Sequence, residues 1–497
     1  MWQRTQTFTT TLRGRRVATA AAALPDPHAP MIRRHSSLAT ALAICTLALP
    51  VRAQAQARDA ALGHTVDSIA SAVLEATGVP SASVAVVQHG RLAYANAYGK
   101  SSLASNTAAT PAMRYGIGSI SKQFTAAAVL LLAEQGKLSL DDPVSKYVPG
   151  LARGNEVTVR MLLSHTSGYQ DFWPQDYLMF PMKENVTPRQ IADRWGRQPL
   201  DFEPGTRWQY SNTNYTLAGM VVEKASGMPF YSFVQTRILD PLGLTSARDF
   251  DASPRAADAT GYIRYALGPL HPAPDAGPGW MWAAGMLAMT ASDLARWDST
   301  MIRQTLLKPA SYREMEQEVR LRNGAGTGYG LGVDVAMSNG HFLVEHSGEV
   351  SGFTAENMIF PADSVAVVVL TNQDAAPAAG AIAQGIARVL FTGEDALTSR
   401  RTAQARAILE GLRRGTIDRS LLTEDASVYF SPEALRDFAA SLAPLGELRE
   451  FTQTAARPRG GMLLRSYRAV FPGRTLRVWT YETPEGKLEQ FQVAPAG

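Results

Sequence analysis

Strand-like segments stand near both ends of the central part of this chain, and a long helical region separates them. Two such segments lie within 81–99, and four more follow within 329–372. Between them, roughly 140–325 mixes short helical patterns with Pro- and Gly-rich loops. Strands this far apart in sequence share one sheet only if the middle region is an insertion beside it. We therefore predict an α+β fold, in which one antiparallel sheet is built from both ends and is flanked by an all-helical insertion. Two amphipathic helices are predicted to cover its other face, at 64–78 and about 375–391.

Composition and pattern divide the chain into four parts. Residues 1–57 form a leader, and 58–392 form the domain built around the predicted sheet. The polar stretch 393–402 is typical of a linker. Residues 403–497 begin with one or two helical patterns and continue with about four antiparallel strand patterns. We predict that this last part is a small α+β domain.

The leader has the anatomy of an export signal. A basic segment starting at Met31 precedes the apolar stretch 38–49, and two A-x-A cleavage sites end at Ala55 and Ala57. The apolar stretch is shorter than the roughly 20 residues that span a bilayer. We therefore predict a cleaved signal peptide, no stable membrane span, and a periplasmic or secreted protein. Met31 is an alternative start of translation, and the sequence leaves open whether 1–30 are translated.

The net positive charge of the chain comes from the leader. The formal charge is +4, but 1–57 hold seven arginines and one acidic residue. The remaining chain has 41 basic and 43 acidic residues, so its net charge is −2 and nothing indicates a nucleic-acid partner. The single cysteine, Cys45, also lies in the leader. The rest of the chain therefore has no disulfide, thiol nucleophile or zinc–thiolate site.

A lysine lies in the first turn of an otherwise apolar helical pattern, GSISKQFTAAAVLLLAEQG. Lys122 follows Ser119 by three residues, so both lie on one face of the helix start. A cation at this end opposes the helix dipole and is typically disfavoured by about 0.3–1 kcal/mol. Burial against the apolar helix also disfavours the charged form. A neutral lysine can accept the serine's proton and activate it as a nucleophile without a histidine.

Two further motifs follow this serine and lysine in a fixed order. A YSN motif at 210–212 precedes a helical pattern, and an HSG motif at 346–348 ends a strand pattern. Each motif alone has an ordinary structural explanation, since serine and asparagine cap helices and glycine serves turns. The YSN motif follows Ser119 by about 90 residues and the HSG motif follows YSN by about 135, so the predicted fold can bring all three motifs together. Together they favour one catalytic site.

With these motifs, the sequence resembles the serine β-lactamase and penicillin-binding-protein superfamily, in particular its class C β-lactamase, D-aminopeptidase and esterase branch. The resemblance spans roughly 64–391 and rests on GSISKQFT, LLSHTSGY, PGTRWQYSNTNY, AAGMLAMTASDLARW and HSGEVSGF. It implies a β-lactamase/transpeptidase-like fold and a serine hydrolase that needs no metal or other cofactor and acts on a small molecule or peptide. The C-terminal part resembles, more loosely, small cystatin-like or nuclear-transport-factor-like domains.

The resemblance implies a role for each residue of the first two motifs. Ser119 is the acylated nucleophile, and Lys122 is its proton acceptor. Tyr210 relays the proton and helps to activate water for deacylation. Asn212 orients Lys122 and contacts the amide or carbonyl group of the substrate.

The third motif departs from the Lys-Thr-Gly of dedicated class C β-lactamases. His346 and Gly348 occupy its first and third positions, and Ser347 keeps a hydroxyl for hydrogen bonding. The resemblance implies that the Glu349 backbone N–H completes an oxyanion hole with that of Ser119. Histidine carries less charge than lysine at neutral pH, so it attracts the carboxylate of a β-lactam less. We therefore predict hydrolysis of an ester, amide or peptide bond, with His346 as a fourth catalytic residue and Asn212, Ser347, Gly348 and Glu349 in substrate binding.

Two alternative functions stay open at this point. One is a true β-lactamase or D-Ala-D-Ala carboxypeptidase, and the other is a non-catalytic penicillin-binding or sensor protein. Metal catalysis is disfavoured, because His341 and His346 would point to opposite faces of a strand. Trp280, Trp282 and Tyr169 are predicted to line the cleft, with packing in the core as the alternative. The sequence does not determine the oligomeric state.

Overall fold

The leader lies outside the part of the chain that the structure describes. The computed structural model describes residues 62–175, 177–252, 258–391, 396–459 and 461–496. Export, the cleavage site and the choice of start at Met31 therefore stay predictions. Within the described residues, no helix combines the length and the apolar character needed to cross a membrane.

The first part of the domain supplies two strands of a large sheet and then most of a helical region. In chain order its elements are α1 (62–77), β1 (Ser81–Gln88), β2 (Arg91–Ser102), β3 (Thr107–Ala108), β4 (Tyr115–Gly116), α2 (Ser121–Glu134), α3 (Val159–Leu163), α4 (Pro188–Trp195), α5 (Asn212–Ser226) and α6 (Phe230–Val234).

The second part completes the helical region and returns to the sheet. Its elements are β5 (Arg248–Asp249), β6 (Tyr262–Arg264), β7 (Leu270–Pro272), α7 (Trp282–Gly285), β8 (Leu287–Met289), α8 (Ala291–Arg303), α9 (Pro309–Glu316), β9 (Asp334–Ser338), β10 (His341–Val350), β11 (Phe353–Phe360), β12 (Val365–Thr371) and α10 (Ala378–Phe391).

The large sheet confirms the prediction that both ends of the domain build it. Its seven strands lie in the order β3-β2-β1-β12-β11-β10-β9, and every neighbouring pair is antiparallel. The first and last long strands meet at the centre, where Val84 pairs with Val369. Both central strands are almost entirely buried. Their runs of Val and Ala, with little polar alternation, suit strands that are covered on both faces.

Helices cover the two faces of this sheet as predicted. On one face, Val66 and Ala70 of α1 and Ile382 and Ile386 of α10 pack in a cluster with Val84. On the other face, α8 lies against β1 and β12 and joins the helical region to the sheet. Helix α2 is buried on nearly all sides within that region. This burial explains why its sequence is apolar around its circumference.

A small α+β unit follows, with its own hydrophobic core. Its elements are α11 (Ala396–Arg413), α12 (Glu424–Tyr429), α13 (Pro432–Leu442), β13 (Glu450–Arg459), β14 (Met462–Phe471), β15 (Arg474–Glu482) and β16 (Leu488–Pro495). The four strands form an antiparallel sheet in chain order, as predicted. Three helices precede it rather than one or two, because Thr423 and Ser431 each cap the start of a short helix with a side-chain oxygen.

The predicted linker 393–402 is helical from Ala396 onward, where it forms the first turns of α11. Residues 392–395 lie outside the described part of the chain. Polar composition alone did not distinguish a solvated helix start from a linker. The domain boundaries proposed from the sequence stay a prediction.

Candidate active site

The turn that carries Ser119 depends on the glycine before it. A 3-10 turn, Gly118–Ile120, precedes α2, so the α-helix itself begins at Ser121 rather than at the serine. Gly118 has a φ of +51°, in the left-handed region that a side chain disfavours. A Cβ on Gly118 would lie 2.6 Å from the Glu349 backbone nitrogen. The glycine therefore lets the Ser119 turn lie directly against strand β10.

Lys122 lies in the first turn of α2, and its amine reaches back to Ser119 as the sequence predicts. Its Nζ lies 2.9 Å from Ser119 Oγ, 2.9 Å from Asn212 Oδ1 and 2.9 Å from the Ala284 carbonyl oxygen. An ammonium group donates to all three acceptors. A neutral amine keeps two N–H donors for Asn212 and Ala284, and its lone pair accepts the Ser119 O–H. The site thus satisfies Lys122 in both protonation states.

The surroundings of Lys122 favour its neutral form. The side chain is fully buried, and this burial lowers the pKa of Lys122 from 10.5 to about 7, against the opposing attraction of the Asp171 carboxylate. The face of the Tyr210 ring, whose centroid lies 4.9 Å from the amine, attracts a cation and so opposes this effect of burial. At neutral pH the lysine is therefore close to its midpoint between acid and base.

Asn212 connects Lys122 to a carboxylate that the sequence analysis did not single out. Asn212 is the first residue of α5, and its side chain does not cap the helix. Asp171 Oδ1 accepts the Asn212 backbone N–H at 2.8 Å, so this carboxylate satisfies a free donor at the helix start. The Asn212 Nδ2 lies 3.4 Å from Asp171 Oδ2. The amide group therefore lies between Asp171 and Lys122 and orients both.

Tyr210 lies beside Ser119 in a group of aromatic rings. Its hydroxyl is hydrogen-bonded to Ser119, and burial raises the pKa of Tyr210 above its ordinary value. The ring of His165 packs on Tyr210 at 4.3 Å between centroids, and the centroid of the His346 ring lies 6.2 Å from that of Tyr210. His165 Nδ1 accepts the Ser211 N–H at 3.2 Å, so this histidine has a structural role. Two imidazole rings therefore hold Tyr210 in place.

His346 is close to the predicted catalytic residues, but protein groups occupy both of its ring nitrogens. Nδ1 lies 2.6 Å from the Ser347 carbonyl oxygen, which can only accept, so Nδ1 carries the proton. Nε2 then accepts the hydroxyl of Tyr329 at 2.9 Å. Burial, together with the charge of Lys122, lowers the pKa of His346 to about 3. His346 is therefore neutral at pH 7, and its catalytic role stays a prediction.

The rest of the third motif divides between the two faces of β10, which continues to Val350 instead of ending at the motif. Gly348 faces the Ser119 turn, since a Cβ there would lie 2.0 Å from the Ile117 carbonyl oxygen. Ser347 points the other way, because successive side chains of a strand alternate, and it borders a different cavity. Ser347 does not border the Ser119 cavity, and its part in substrate binding stays a prediction. Glu349 borders both the cavity next to Ser347 and the Ser119 cavity, and its part in substrate binding stays a prediction.

The geometry of Ser119, Lys122, Tyr210 and Asn212 agrees with the comparison to protein families. The beta-lactamase family model matches residues 66–390, more than half of the chain. The chain belongs to the beta-lactamase family. It is thus a serine hydrolase of the β-lactamase and penicillin-binding-protein superfamily.

Individual proteins are similar to the chain over most of the same domain. It is 28% identical to penicillin-binding protein 4* of Bacillus subtilis over 307 residues, which are 59% of this chain and 68% of that one. It is 26% identical to protein Flp of Staphylococcus aureus over 318 residues, and spans only 62% of that chain. A D-stereospecific amidohydrolase from Streptomyces sp. is 29% identical, with a TM-score of 0.56, and the match covers 66% of this chain and 98% of that one.

In this beta-lactamase-family member, Ser119 opens into a cavity of about 620 Å³. Aromatic side chains form much of its wall: Trp173, Tyr177, Trp208 and Trp280. Of the three aromatic residues predicted to line a cleft, only Trp280 does so. Trp282 instead packs on Phe230, and Tyr169 is buried with its hydroxyl on the Ala152 carbonyl oxygen.

Sequence reasoning missed three contributors to this site. Asp171 accepts the Asn212 backbone N–H, the Ala284 carbonyl oxygen accepts from Lys122, and the Tyr329 hydroxyl binds His346. The sequence held a signal for two of them. Asp171 closely follows the family segment LLSHTSGY, and Ala284 lies within the family segment AAGMLAMTASDLARW. Among the residues that the structure describes, no group of three or more His, Cys, Asp or Glu side chains could hold a metal ion.

Proposed function

We propose that this family member forms an acyl-enzyme on Ser119 and hydrolyses an ester or amide whose acyl group is neutral or positively charged. The observation that carries the proposal is the 2.9 Å contact between Ser119 Oγ and the fully buried amine of Lys122. Ser119 itself is only partly buried and borders the cavity, so a substrate carbonyl can reach it.

In the first step, neutral Lys122 accepts the Ser119 proton while Oγ attacks the substrate carbonyl carbon. The pKa of Lys122 of about 7 leaves a large neutral fraction near pH 7. Asn212 Oδ1 and the Ala284 carbonyl oxygen keep accepting two N–H groups of the resulting ammonium, and the transferred proton is its third. The two acceptors therefore stabilise the charge that the transfer creates.

The negative charge that develops on the carbonyl oxygen needs N–H donors on the far side of the cavity. The proposed donors are the backbone N–H groups of Ser119 and Glu349. Gly118 and Gly348 allow this arrangement, because a Cβ on either would lie within 2.6 Å of a backbone atom of the opposing segment. The close approach of the turn to β10 thus supports the proposed oxyanion hole.

Collapse of the tetrahedral intermediate breaks the bond to the leaving alcohol or amine, which takes a proton from the Lys122–Tyr210 pair. In deacylation, a water gives a proton back to this pair and attacks the acyl carbon. The carboxylic acid leaves and Ser119 regains its proton. Tyr210 suits this relay because its hydroxyl bonds to Ser119 and its ring lies under the Lys122 amine.

The charges near Ser119 disfavour a substrate with a carboxylate. His346 occupies the position of the family's lysine and is neutral, because burial lowers its pKa to about 3. The acidic residues Asp171 and Asp374 also border the cavity. β-Lactams and D-Ala-D-Ala peptides both carry a carboxylate, so β-lactamase and carboxypeptidase activity are less favoured than ester or amide hydrolysis. The likeness to a D-stereospecific amidohydrolase points in the same direction.

A substrate panel tests this proposal. The full-length protein and a Ser119→Ala variant are assayed with short-chain p-nitrophenyl esters, D- and L-amino-acid amides, and a chromogenic cephalosporin. We expect wild-type turnover of an ester or amide at least tenfold above that of the cephalosporin, and no turnover by Ser119→Ala. Faster cephalosporin turnover would favour a β-lactamase. Acylation by penicillin without turnover of any substrate would favour a penicillin-binding sensor.

We also propose that the protein is exported to the periplasm or the medium. The support is the sequence of 1–57, with its basic segment, apolar stretch and two A-x-A sites. Expression with the native leader, followed by N-terminal sequencing of the mature protein, tests the proposal. We expect the mature chain to begin at Gln56 or Arg58. A cell-associated product that keeps the leader would contradict it.

A further inference from the structure

We propose that Gln123, Asn357 and Asp298 are positioning residues that hold the Ser119 turn against strand β10. The inference rests on the proposed function, because it explains how the two halves of the proposed oxyanion hole are kept in place. It goes further in assigning a part in the reaction to three buried side chains that do not border the Ser119 cavity.

Three successive hydrogen bonds link these side chains to Trp297, and we call the four residues the Gln123 network. The Trp297 indole N–H donates to Gln123 Oε1 at 2.7 Å, and Gln123 Nε2 donates to Asn357 Oδ1 at 2.9 Å. Asn357 Nδ2 then donates to Asp298 Oδ1 at 2.8 Å. An indole N–H can only donate, so it fixes the orientation of both amide groups. The network therefore has a single arrangement of donors and acceptors.

The Gln123 network is completely buried. The exposed fraction of the residue is 0% for Gln123, Trp297, Asp298 and Asn357. A buried donor or acceptor that loses its partner is costly, because water cannot replace the bond. Removing one link therefore leaves an unsatisfied group between the packed segments, and these segments must move to satisfy it.

The network joins the segments that carry the site. Gln123 directly follows Lys122 in the first turn of α2. Asn357 of β11 pairs with His346 of β10, and paired residues of an antiparallel sheet share a face. Gly348, two residues after His346, lies on this face as well. The Gln123–Asn357 bond therefore ties the helix of Lys122 to the strand next to β10.

Helix α8 holds both ends of the network. It contributes Trp297 and Asp298, and the Trp297 ring also stacks on Phe124 of α2 at 4.2 Å between centroids. Asp298 Oδ2 has no hydrogen-bond partner among the residues that the structure describes. Burial raises the pKa of Asp298 well above its ordinary value, so its carboxyl group is neutral at pH 7. Asparagine therefore matches Asp298 in charge and can accept the same bond from Asn357.

The position of α2 on the sheet decides whether the proposed oxyanion donors meet the substrate carbonyl oxygen. One donor belongs to the Ser119 turn and the other to β10, so their spacing depends on the contact between helix and sheet. Lys122 Nζ, 2.9 Å from Ser119 Oγ, moves with the same helix. A displacement of about 1 Å can reduce a rate about 100-fold. The Gln123–Asn357 bond therefore affects the rate of acylation from outside the cavity.

The test is the pre-steady-state burst of the full-length protein with a neutral p-nitrophenyl ester. Gln123→Met and Asn357→Leu each remove the bond with little change in side-chain size. We expect each to reduce the acylation rate constant about tenfold or more at saturating ester. The dissociation constant of the ester should change less than about twofold, since the network does not border the cavity. The burst amplitude counts active sites, so a loss of folded protein lowers the amplitude and not the rate constant.

Further variants test whether the network acts as one unit. The double variant Gln123→Met/Asn357→Leu should acylate about as fast as the slower single variant, because both changes remove the same bond. Asp298→Asn should keep the rate constant within about threefold of wild type, because asparagine supplies the same acceptor. Trp297→Phe keeps a ring against Phe124 and removes the indole N–H, so it should slow acylation about threefold or more. With Gln123→Met, it carries the test if Asn357→Leu does not fold.

Thr371→Val is the matched control, because it also removes a buried hydrogen bond of the large sheet. Thr371 Oγ1 lies 2.7 Å from Thr354 Oγ1, and Thr371 has an exposed fraction of 0%. Thr354 is three residues from Asn357 on β11, so its side chain lies on the opposite face of the sheet. The control should leave the acylation rate constant unchanged.

Three results would overturn the inference: wild-type rate constants in Gln123→Met and Asn357→Leu, a loss confined to the burst amplitude, or reductions that multiply in the double variant. Failure of the proposed function has a different signature. In that case wild type itself would give no burst and would not be acylated by any ester or fluorophosphonate.

Discussion

The pH dependence of acylation tests whether Lys122 accepts the proton of Ser119. Burial lowers the pKa of Lys122 from 10.5 to about 7. At pH 7, about half of such a lysine is neutral, whereas only about one in 3,000 molecules would be neutral at the ordinary pKa. Acylation should therefore be about 1,000-fold faster at pH 7 than an unperturbed lysine would allow. Its rate should rise about tenfold per pH unit below pH 6 and level off above pH 8.

The assay is the pre-steady-state burst with a neutral p-nitrophenyl ester, measured from pH 5 to 9. The burst rate isolates acylation from deacylation, in which Lys122 and Tyr210 act again. Lys122→Ala should reduce this rate by about 100- to 10,000-fold. Lys137→Ala is the matched control, because Lys137 is exposed just after α2 and should leave the profile unchanged. A flat profile from pH 5 to 9, with full activity in Lys122→Ala, would refute the role of Lys122.

Three further changes test the site around Ser119 and Lys122. Asp171→Asn should move the midpoint of the acylation profile about one pH unit lower, because loss of the carboxylate destabilises the charged lysine; an unchanged or higher midpoint would contradict this coupling. Gly348→Ala should reduce the burst rate at least about 100-fold, because its Cβ would lie 2.0 Å from the Ile117 carbonyl oxygen. Gly473→Ala is the matched control: its Cβ would have no neighbour within 4 Å, so the burst rate should not change. Lys122→Met should raise the free energy of unfolding at pH 7 by about 2 kcal/mol, because it removes a buried lysine whose folded pKa lies below its unfolded one. Between about pH 7 and 10.5 the unfolded wild type binds more protons than the folded wild type, so the stability of the wild type rises with pH in this range. The stability gain of Lys122→Met, measured by urea titrations, should therefore shrink as the pH rises.

The sheet was predictable because its sequence signals are strong and regular. The central strands β1 and β12 are runs of buried β-branched and small residues, and the turn after β1 is marked by His89–Gly90. The two covering helices have apolar faces with helical spacing. Once strands occur at both ends of a helical region, few arrangements bury all these faces. The order of the sheet follows from this constraint.

The contact between Ser119 and Lys122 was also predictable, because three residues separate them on one helical face. The contacts of Asp171 and Tyr329 were not, because they depend on segments far apart in sequence that meet only in the folded chain. The same limit applies to Ser347 and Trp282. Their motifs place them near the site, but the direction of the side chain depends on strand register and helix packing, which short motifs do not specify.

Covalent labelling of Ser119 tests the central claim most directly. The full-length wild type and Ser119→Ala are incubated with a fluorophosphonate, and intact mass and peptide mapping locate any adduct, while circular dichroism confirms that both proteins are folded. We predict one adduct per wild-type chain, on the peptide that contains Ser119, and none on Ser119→Ala. A folded wild type that is never acylated, or equal labelling of Ser119→Ala, would contradict the account.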